Sequence, residues 1–437
     1  MRSSIVGLLL LAAFGARAQS LQELYEAARS YDATFLAARS LADSAPFRAA
    51  QAYALKRPSL GLGASVNHGL TDPPSTALNG GSTADNTSAA ATLSGRQPLY
   101  NRASDAIIGQ ADKLLEIAQQ DLQTAEQELI VRVSQAYFDV LAAQDTLATT
   151  QTSKKAISEQ LASARRAFEV GTATITDARE AQARFDLATA QEIAADSDLR
   201  VKRIALDQLV GRSNVQPNPL LQPVVLPPVL PADAQAWAQN AQAQHPLVLR
   251  AQLALDIARL ETERARAGRS PVIDLVGSAG SVHARGRGAQ LPGTTHSANI
   301  GVQLSLPIFD GQLTQNRIKE TLVLEDKAVN DLEAARRAVS QVTRQAFSSV
   351  ESLQAQVKAL EAAEASSKLA LEATQLGYRV GVRVNLDVLN AQTQLFTTQR
   401  DLAFARYNVL LGNLRLRQAA GTLTPAELLA ISALLAR

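Results

Sequence analysis

The sequence predicts a mainly α-helical chain with a small β part, written twice in tandem. Three observations carry this. The long stretches Asn101–Glu169 and Gly311–Val380 hold no proline and repeat apolar residues at steps of three and four. Pairs of shorter segments, one pair in each half, alternate apolar and polar residues with a period of two. The order of these features in the first half recurs in the second, about 210 residues on.

The bulk properties narrow the function classes. Hydrophobic residues make up 46% of the 437, but aromatics only 4%, so thin side chains fill the interior and suit close helix–helix approach. Lys and Arg number 43 against 41 Asp and Glu, a balance that offers no net field to nucleic acid. There is no cysteine, so packing alone must stabilise the fold. No HExxH, paired-Cys or GxSxG motif is present. His68, His245, His283 and His296 are the best material for an enzyme site, and they read as scattered surface histidines. No catalytic residue, metal ligand or cofactor is expected.

Taken in order, residues 1–18 read as a signal peptide. Arg2 gives a short positive region, Ile5–Phe14 an apolar run too short to span a bilayer, and Ala16 and Ala18 a small-x-small cleavage pattern. Cleavage there would leave 41 basic against 41 acidic residues. Residues 19–55 read as helical, opened by the capping-box pattern Ser20-x-x-Glu23. Residues 58–99 hold two strands. In the first, Leu60, Leu62, Ala64 and Val66 oppose Gly61, Gly63, Ser65 and Asn67, as in a barrel strand with one face in lipid. Residues 101–210 form a helical hairpin, with Leu129, Val133, Ala136, Val140, Ala143 and Leu147 as its seam. Its first helix would run for about 100 Å, too long to fold around its own core.

A connector with six of the chain's 16 prolines and a helical stretch fill 211–266. The second half then repeats the first. Residues 271–307 hold two strands, the second with Ala298, Ile300, Val302, Leu304 and Leu306 on one face. Residues 311–420 form a second hairpin, with the seam Val339, Val342, Ala346, Val350, Leu353, Val357 and Leu360. Residues 421–437 close with a short helix, Thr424 as N-cap, Pro425 at the first position and Glu427 completing the box. The repeat is sharpest at the hairpin turns, where Val170/Val380, Gly171/Gly381, Asp177/Asp387 and Gln182/Gln392 stand at one constant spacing.

No later segment offers the roughly 20 apolar residues of a membrane helix, so any crossing must use β-strands. Four strands cannot close a barrel alone, because about eight are the usual minimum. Several copies must therefore contribute, although the spacing of residues fixes their number only weakly.

The turn motifs "FEVGTATITD" from Phe168 and "GYRVGVRVNLDVLNA" from Gly377, with "LAFARYN" at Leu402–Asn408 and "AAGTLTPAELLA" from Ala419, resemble the TolC family of outer-membrane export channels. The resemblance spans essentially the whole mature chain. It implies a homotrimer in the outer membrane that extends into the periplasm. Twelve strands would form a barrel in outer-membrane lipid, the hairpins a periplasmic tunnel, and 19–55, 211–266 and 421–437 a mid-height collar. It further implies passive export for an inner-membrane RND or ABC transporter, met through a periplasmic adaptor. The alternative is that the chain is itself an adaptor or a structural coiled coil of the envelope; an adaptor carries one hairpin, however, and this chain has two.

The resemblance also implies site residues. Val170, Gly171, Val380 and Gly381 would form the helical turns that meet the adaptor. Tyr378 with Asp177, and Arg383 with Thr176, would latch the closed end. Asp387 would line the constriction as a carboxylate ring. Some relatives carry a second acid three residues on, where this chain has Asn390, so divalent block is expected to be weak. From the residues alone, Asp177 and Asp387 are equally well read as stabilisers of a helix N-terminus, and Tyr378 as a core residue.

Overall fold

The computed structural model describes residues 19–71, 84–286 and 292–436. The expected signal peptide, 1–18, lies outside them, as do parts of both strand-to-strand loops. The chain divides into two compact units, residues 1–40, 121–248 and 335–437 in one, and 41–120 and 249–334 in the other.

The second unit holds the sheet. β1 (Ser59–Thr71), β2 (Ala84–Tyr100), β3 (Val272–Arg285) and β4 (Gly293–Ser305) pair antiparallel in chain order. The register makes the alternation of each strand coincide with that of its neighbours: Leu62 stands opposite Leu93, Leu93 opposite Ala279, and Ala279 opposite Ala298. One face is therefore apolar along its middle, with Leu60, Leu62, Val66 and Ile300 each at least 75% exposed. The other carries Ser65, Asn67, Ser94, Ser278 and Asn299. On that polar face Arg96 reaches Asp274 at 2.7 Å, a pair whose carboxylate is nearly covered. Among the described residues, the outer edges of β1 and β4 have no strand beside them. At the end of the sheet away from its loops, helical segments of the unit are tied by polar bonds. Tyr53 donates to Asp112 (3.0 Å), and Glu261 accepts from Gln110 and Arg317 (2.9 Å each).

The helices are α1 (Leu21–Tyr31), α2 (Ala33–Tyr53), α3 (Arg102–Glu169), α4 (Ile175–Val210), α5 (Ala234–Gln244), α6 (Pro246–Ala267), α7 (Leu313–Arg379), α8 (Asn385–Ala419) and α9 (Ala426–Ser432). α3 and α7 have 68 and 67 residues, about 100 Å each at 1.5 Å per residue. The single helix expected over 19–55 is broken at Asp32, whose carboxylate caps α2 through the Phe35 N–H at 2.7 Å and pairs with Arg132. The helical stretch expected within 211–266 is broken at His245 because Pro246 opens α6, where its missing N–H leaves no intrahelical bond unmade.

The core of the first unit gathers on Tyr137, which is fully buried and donates its hydroxyl to the Asn218 carbonyl at 2.9 Å. Leu21, Leu24, Leu206, Leu410, Leu414 and Leu428 belong to the same cluster, so the N-terminal helix, the connector and the C-terminal helix share one core. Two expectations need correction. Val342 is 52% exposed, and Thr343 takes its seam position fully buried, because its hydroxyl satisfies itself on the Val339 and Ala419 carbonyls. Thr424 does not cap α9 with its side chain; Pro425 occupies the cap position, and Glu427 instead accepts from Arg417 at 2.9 Å.

Candidate functional site

The two hairpin turns are built by the same bonds. In the first, the N–H groups of Gly171 and Thr172 reach back to the carbonyls of Phe168 (3.0 Å) and Ala167 (2.8 Å). In the second, Gly381 and Val382 reach Tyr378 (3.1 Å) and Gly377 (2.8 Å). This double closure needs a left-handed residue just past the helix, and Gly171 and Gly381 supply it with φ of 76° and 81°. A side chain at either glycine would meet only open space, so conformation and not crowding selects glycine here. Around them Val170, Val380 and Val382 are 65–78% exposed, an apolar tip on each hairpin.

After each turn the returning helix is held by an aspartate, but not equally. At α4 the Asp177 carboxylate accepts from the Thr174 N–H (3.0 Å) and hydroxyl (2.8 Å), while the Asp177 N–H donates to the Thr174 hydroxyl (3.2 Å). That is a complete capping box. At α8 the cap residue is Val384, which has no hydroxyl to give. Asp387 accepts only the Val384 N–H, at 3.4 Å, and sits 3.6 Å from Arg383. The Asp177 carboxylate is thus engaged in helix structure, whereas that of Asp387 is loosely held and half-exposed.

Within the one chain, Arg383 therefore faces Asp387 rather than Thr176, and Asp177 faces Thr174 rather than Tyr378. Thr176 is exposed and Tyr378 half-buried. Asn390, also exposed, accepts from Arg184 of α4 at 3.1 Å, which ties the two hairpins together one turn beyond Asp387. Sequence reasoning passed over Gly377. A Cβ there would stand 2.8 Å from the Arg383 Cγ, so the glycine lets the arginine stem lie across the end of α7. The available signal was the difference between the two turns, since the first has Ala167 and Ala173 where the second has Gly377 and Arg383.

Further up the hairpins, Tyr407 of α8 donates to Asp145 of α3 at 2.6 Å. Burial pushes the Asp145 carboxyl above its ordinary range, and the Tyr407 bond and nearby Arg406 oppose that shift. Among the described residues no group of His, Cys, Asp and Glu is arranged to hold a metal ion, and no helix is long and apolar enough to cross a membrane.

The family model for outer membrane efflux proteins matches this chain twice, at residues 24–212 and 237–422. The outer membrane protein TolC of Vibrio cholerae is 31% identical over 420 residues, covering 95% of this chain and 94% of that protein. The alkaline protease secretion protein AprF of Pseudomonas aeruginosa is 34% identical over 346 residues, 78% of this chain and 71% of its own. Among solved structures, the outer membrane protein VceC from Vibrio cholerae shares the fold with a TM-score of 0.77 at 18% identity, over 92% of this chain and 96% of that one.

Proposed function

The chain belongs to the outer membrane efflux protein family, and from that premise we propose that three copies close one duct through the outer membrane and periplasm. The protein is an outer-membrane export channel, not an enzyme, and serves efflux and type I secretion. In the proposed assembly, residues 58–99 and 271–307 of each copy supply four strands to a twelve-stranded barrel. Residues 101–210 and 311–420 supply the tunnel walls, and 19–55, 211–266 and 421–437 the collar.

One observation carries the trimer. The sheet carries a broad apolar band on one face, is mainly polar on the other, and is open at both edges among the described residues. Bare edges cannot stand in lipid, because each unpaired backbone group there costs several kcal/mol. Three sheets reach twelve strands, within the range of membrane barrels, while one or two leave four or eight and no room for a wide lumen. Imaging of detergent-purified protein should show threefold symmetry. A stable monomer that does not sediment with membranes would remove the proposal.

Passage needs no chemistry from the wall, only an inner-membrane pump and an adaptor that joins it to the hairpin tips. The exposed valines around Gly171 and Gly381 are the proposed adaptor-docking surface. The gate is proposed at the same end, with Asp387 lining it and Tyr378, Arg383, Thr176 and Asp177 latching it. The weak caging of Asp387 favours that assignment. Asp177 fits the latch less well, since its carboxylate already serves α4.

A further inference from the structure

Three of the chain's four histidines share one face of the sheet and one end of it. The register fixes this. Along the apolar face and away from the helices, β1 runs through Leu62, Ala64 and Val66 to His68. β4, followed in the same direction, runs through Val302, Ile300 and Ala298 to His296. β3 passes Ala279 and Ser281 to His283 and Arg285. His283 stands between Ala89 and Thr294, and Arg285 opposite Thr87, which itself opposes His68. On this face the apolar run stops at Val66 on β1, Ala279 on β3 and Ala298 on β4, so its rim runs diagonally across the register, and the basic side chains just past it are His68, His283, Arg285 and His296, with Leu70 beyond His68.

All four side chains are exposed. The rings are oriented through Nδ1, which lies 2.8 Å from the Thr87 hydroxyl at His68 and 3.0 Å from the Thr294 hydroxyl at His283. Asp85 of β2 is the acid on this face at that height, and it already has an interaction of its own. A barrel usually carries aromatic residues where lipid chains give way to headgroups. Here the helix end has Tyr100 and Phe309, both exposed. At the loop end, among the described residues, histidine and arginine take that place.

We propose that this rim is a docking belt for the phosphate groups of lipid headgroups, with His68, His283, His296 and Arg285 as its cationic partners. The proposal rests on the reading of the sheet as a barrel segment with its apolar face in lipid. In a closed barrel β4 of one copy lies beside β1 of the next, so His296 and His68 fall on neighbouring strands and the belt is continuous. The Arg285 guanidinium offers a planar fork of N–H donors that matches a phosphate, and the histidine rings add N–H donors beside it. A phosphate fits it better than a metal ion, because Arg285 would repel a cation and threonine hydroxyls already hold two of the rings.

The test uses the full chain in phosphatidylcholine vesicles doped with a lipid A bearing two phosphates or with its dephosphorylated form, and reads the lipids retained by native mass spectrometry. The phosphorylated lipid should be enriched on the order of 5-fold. Combined His68→Gln, His283→Gln and His296→Gln should lower that enrichment, and so should Arg285→Gln. If the combined variant does not insert, His283→Gln alone should lower it. Equal retention of both lipids, or variants that behave as the parent, overturns the belt. So does loss of enrichment on adding excess inorganic phosphate, which would make the rim a free-anion site. Failure of the barrel reading looks different: the parent chain would not insert, and added protease would digest its strands.

Discussion

At the residue scale the tandem copies have diverged where it matters for charge. Asp177 and Asp387 occupy matching positions, but Thr174 completes a capping box and Val384 cannot. Asp177→Ala should therefore destabilise α4 by about 0.5–2 kcal/mol, seen as earlier melting or faster proteolysis at the tip, with little effect on selectivity. Asp387→Ala should do the reverse and lower cation selectivity in planar bilayers. Arg383 lies 3.6 Å from Asp387 and is exposed, a pair worth at most about 1 kcal/mol. Arg383→Ser combined with Tyr378→Phe should raise single-channel conductance and also increase cation preference, because the carboxylate loses its counter-charge. Asn390 would add no charge to the proposed ring, so divalent block of the parent should already be weak. Unchanged conductance and selectivity in all these variants would show that the gate lies elsewhere. Asp145 gives a separate pH signature. Its carboxyl is raised by burial, so the folded chain keeps a proton that the unfolded chain has released. Stability should fall as pH rises from the ordinary carboxylate value, about 3.9, through the raised one, and stay lower above it. Asp145→Asn keeps an acceptor for Tyr407 and should flatten that slope in pH-dependent melting; an identical slope in the variant contradicts the assignment.

At the element scale the long helices and the strands were legible because each has one dominant period. Leu129, Val133 and Val140 of the first seam are buried as their spacing required, and the alternation of β1 and β4 maps directly onto the two faces of the sheet. Thr343 was missed because an apolar seam is read from side-chain type, and a threonine that bonds two carbonyls is apolar to its surroundings only once folded. The break at Asp32 was equally hidden: a helix-capping aspartate in mid-pattern looks like a surface charge until Arg132, a hundred residues away, is placed beside it. Glu427 shows the converse, a capping motif outcompeted by a cation from another helix. The repeat made the turns themselves legible, whereas the proposed gate residues were named by the family resemblance and not by spacing; contacts such as that of Gly377 with Arg383 form only after the chain reverses. The turn itself yields a prediction. Gly171 is left-handed with open space beyond it, so Gly171→Trp strains the backbone by roughly 1–2 kcal/mol without disturbing any core. Assembly should survive while export fails, because the indole stands where the adaptor is proposed to meet the tip. Full export at normal expression would exclude the tip as that surface.

At the scale of the whole molecule, the unpaired edges of the sheet govern assembly. β1 and β4 each present a 13-residue edge, and an edge that long and flat either pairs with another chain or aggregates. β1 and β4 run antiparallel, so the β4 edge of one copy matches the β1 edge of the next, head to tail. Such a heterologous contact forms a ring if the rotation closes and an open filament if it does not. The apolar face decides between these outcomes. Leu60, Leu62, Val66, Ile300 and Val302 must all face lipid, and a filament would leave two edges bare at its ends. The chain contains no cysteine, which permits a clean test. Ala64→Cys on β1, paired with a cysteine scanned through Ala298, Ile300 and Val302 on β4, should cross-link copies at the one register where the Cβ atoms approach within about 4.5 Å. A closed trimer predicts that complete oxidation of membrane-embedded protein leaves a single covalent species of three chains on a denaturing gel. Dimers should appear only as intermediates, and nothing larger should form at any oxidant concentration. A ladder that continues past three would mean an open assembly, and products that stop at two would mean an isologous pair; either result would remove the duct.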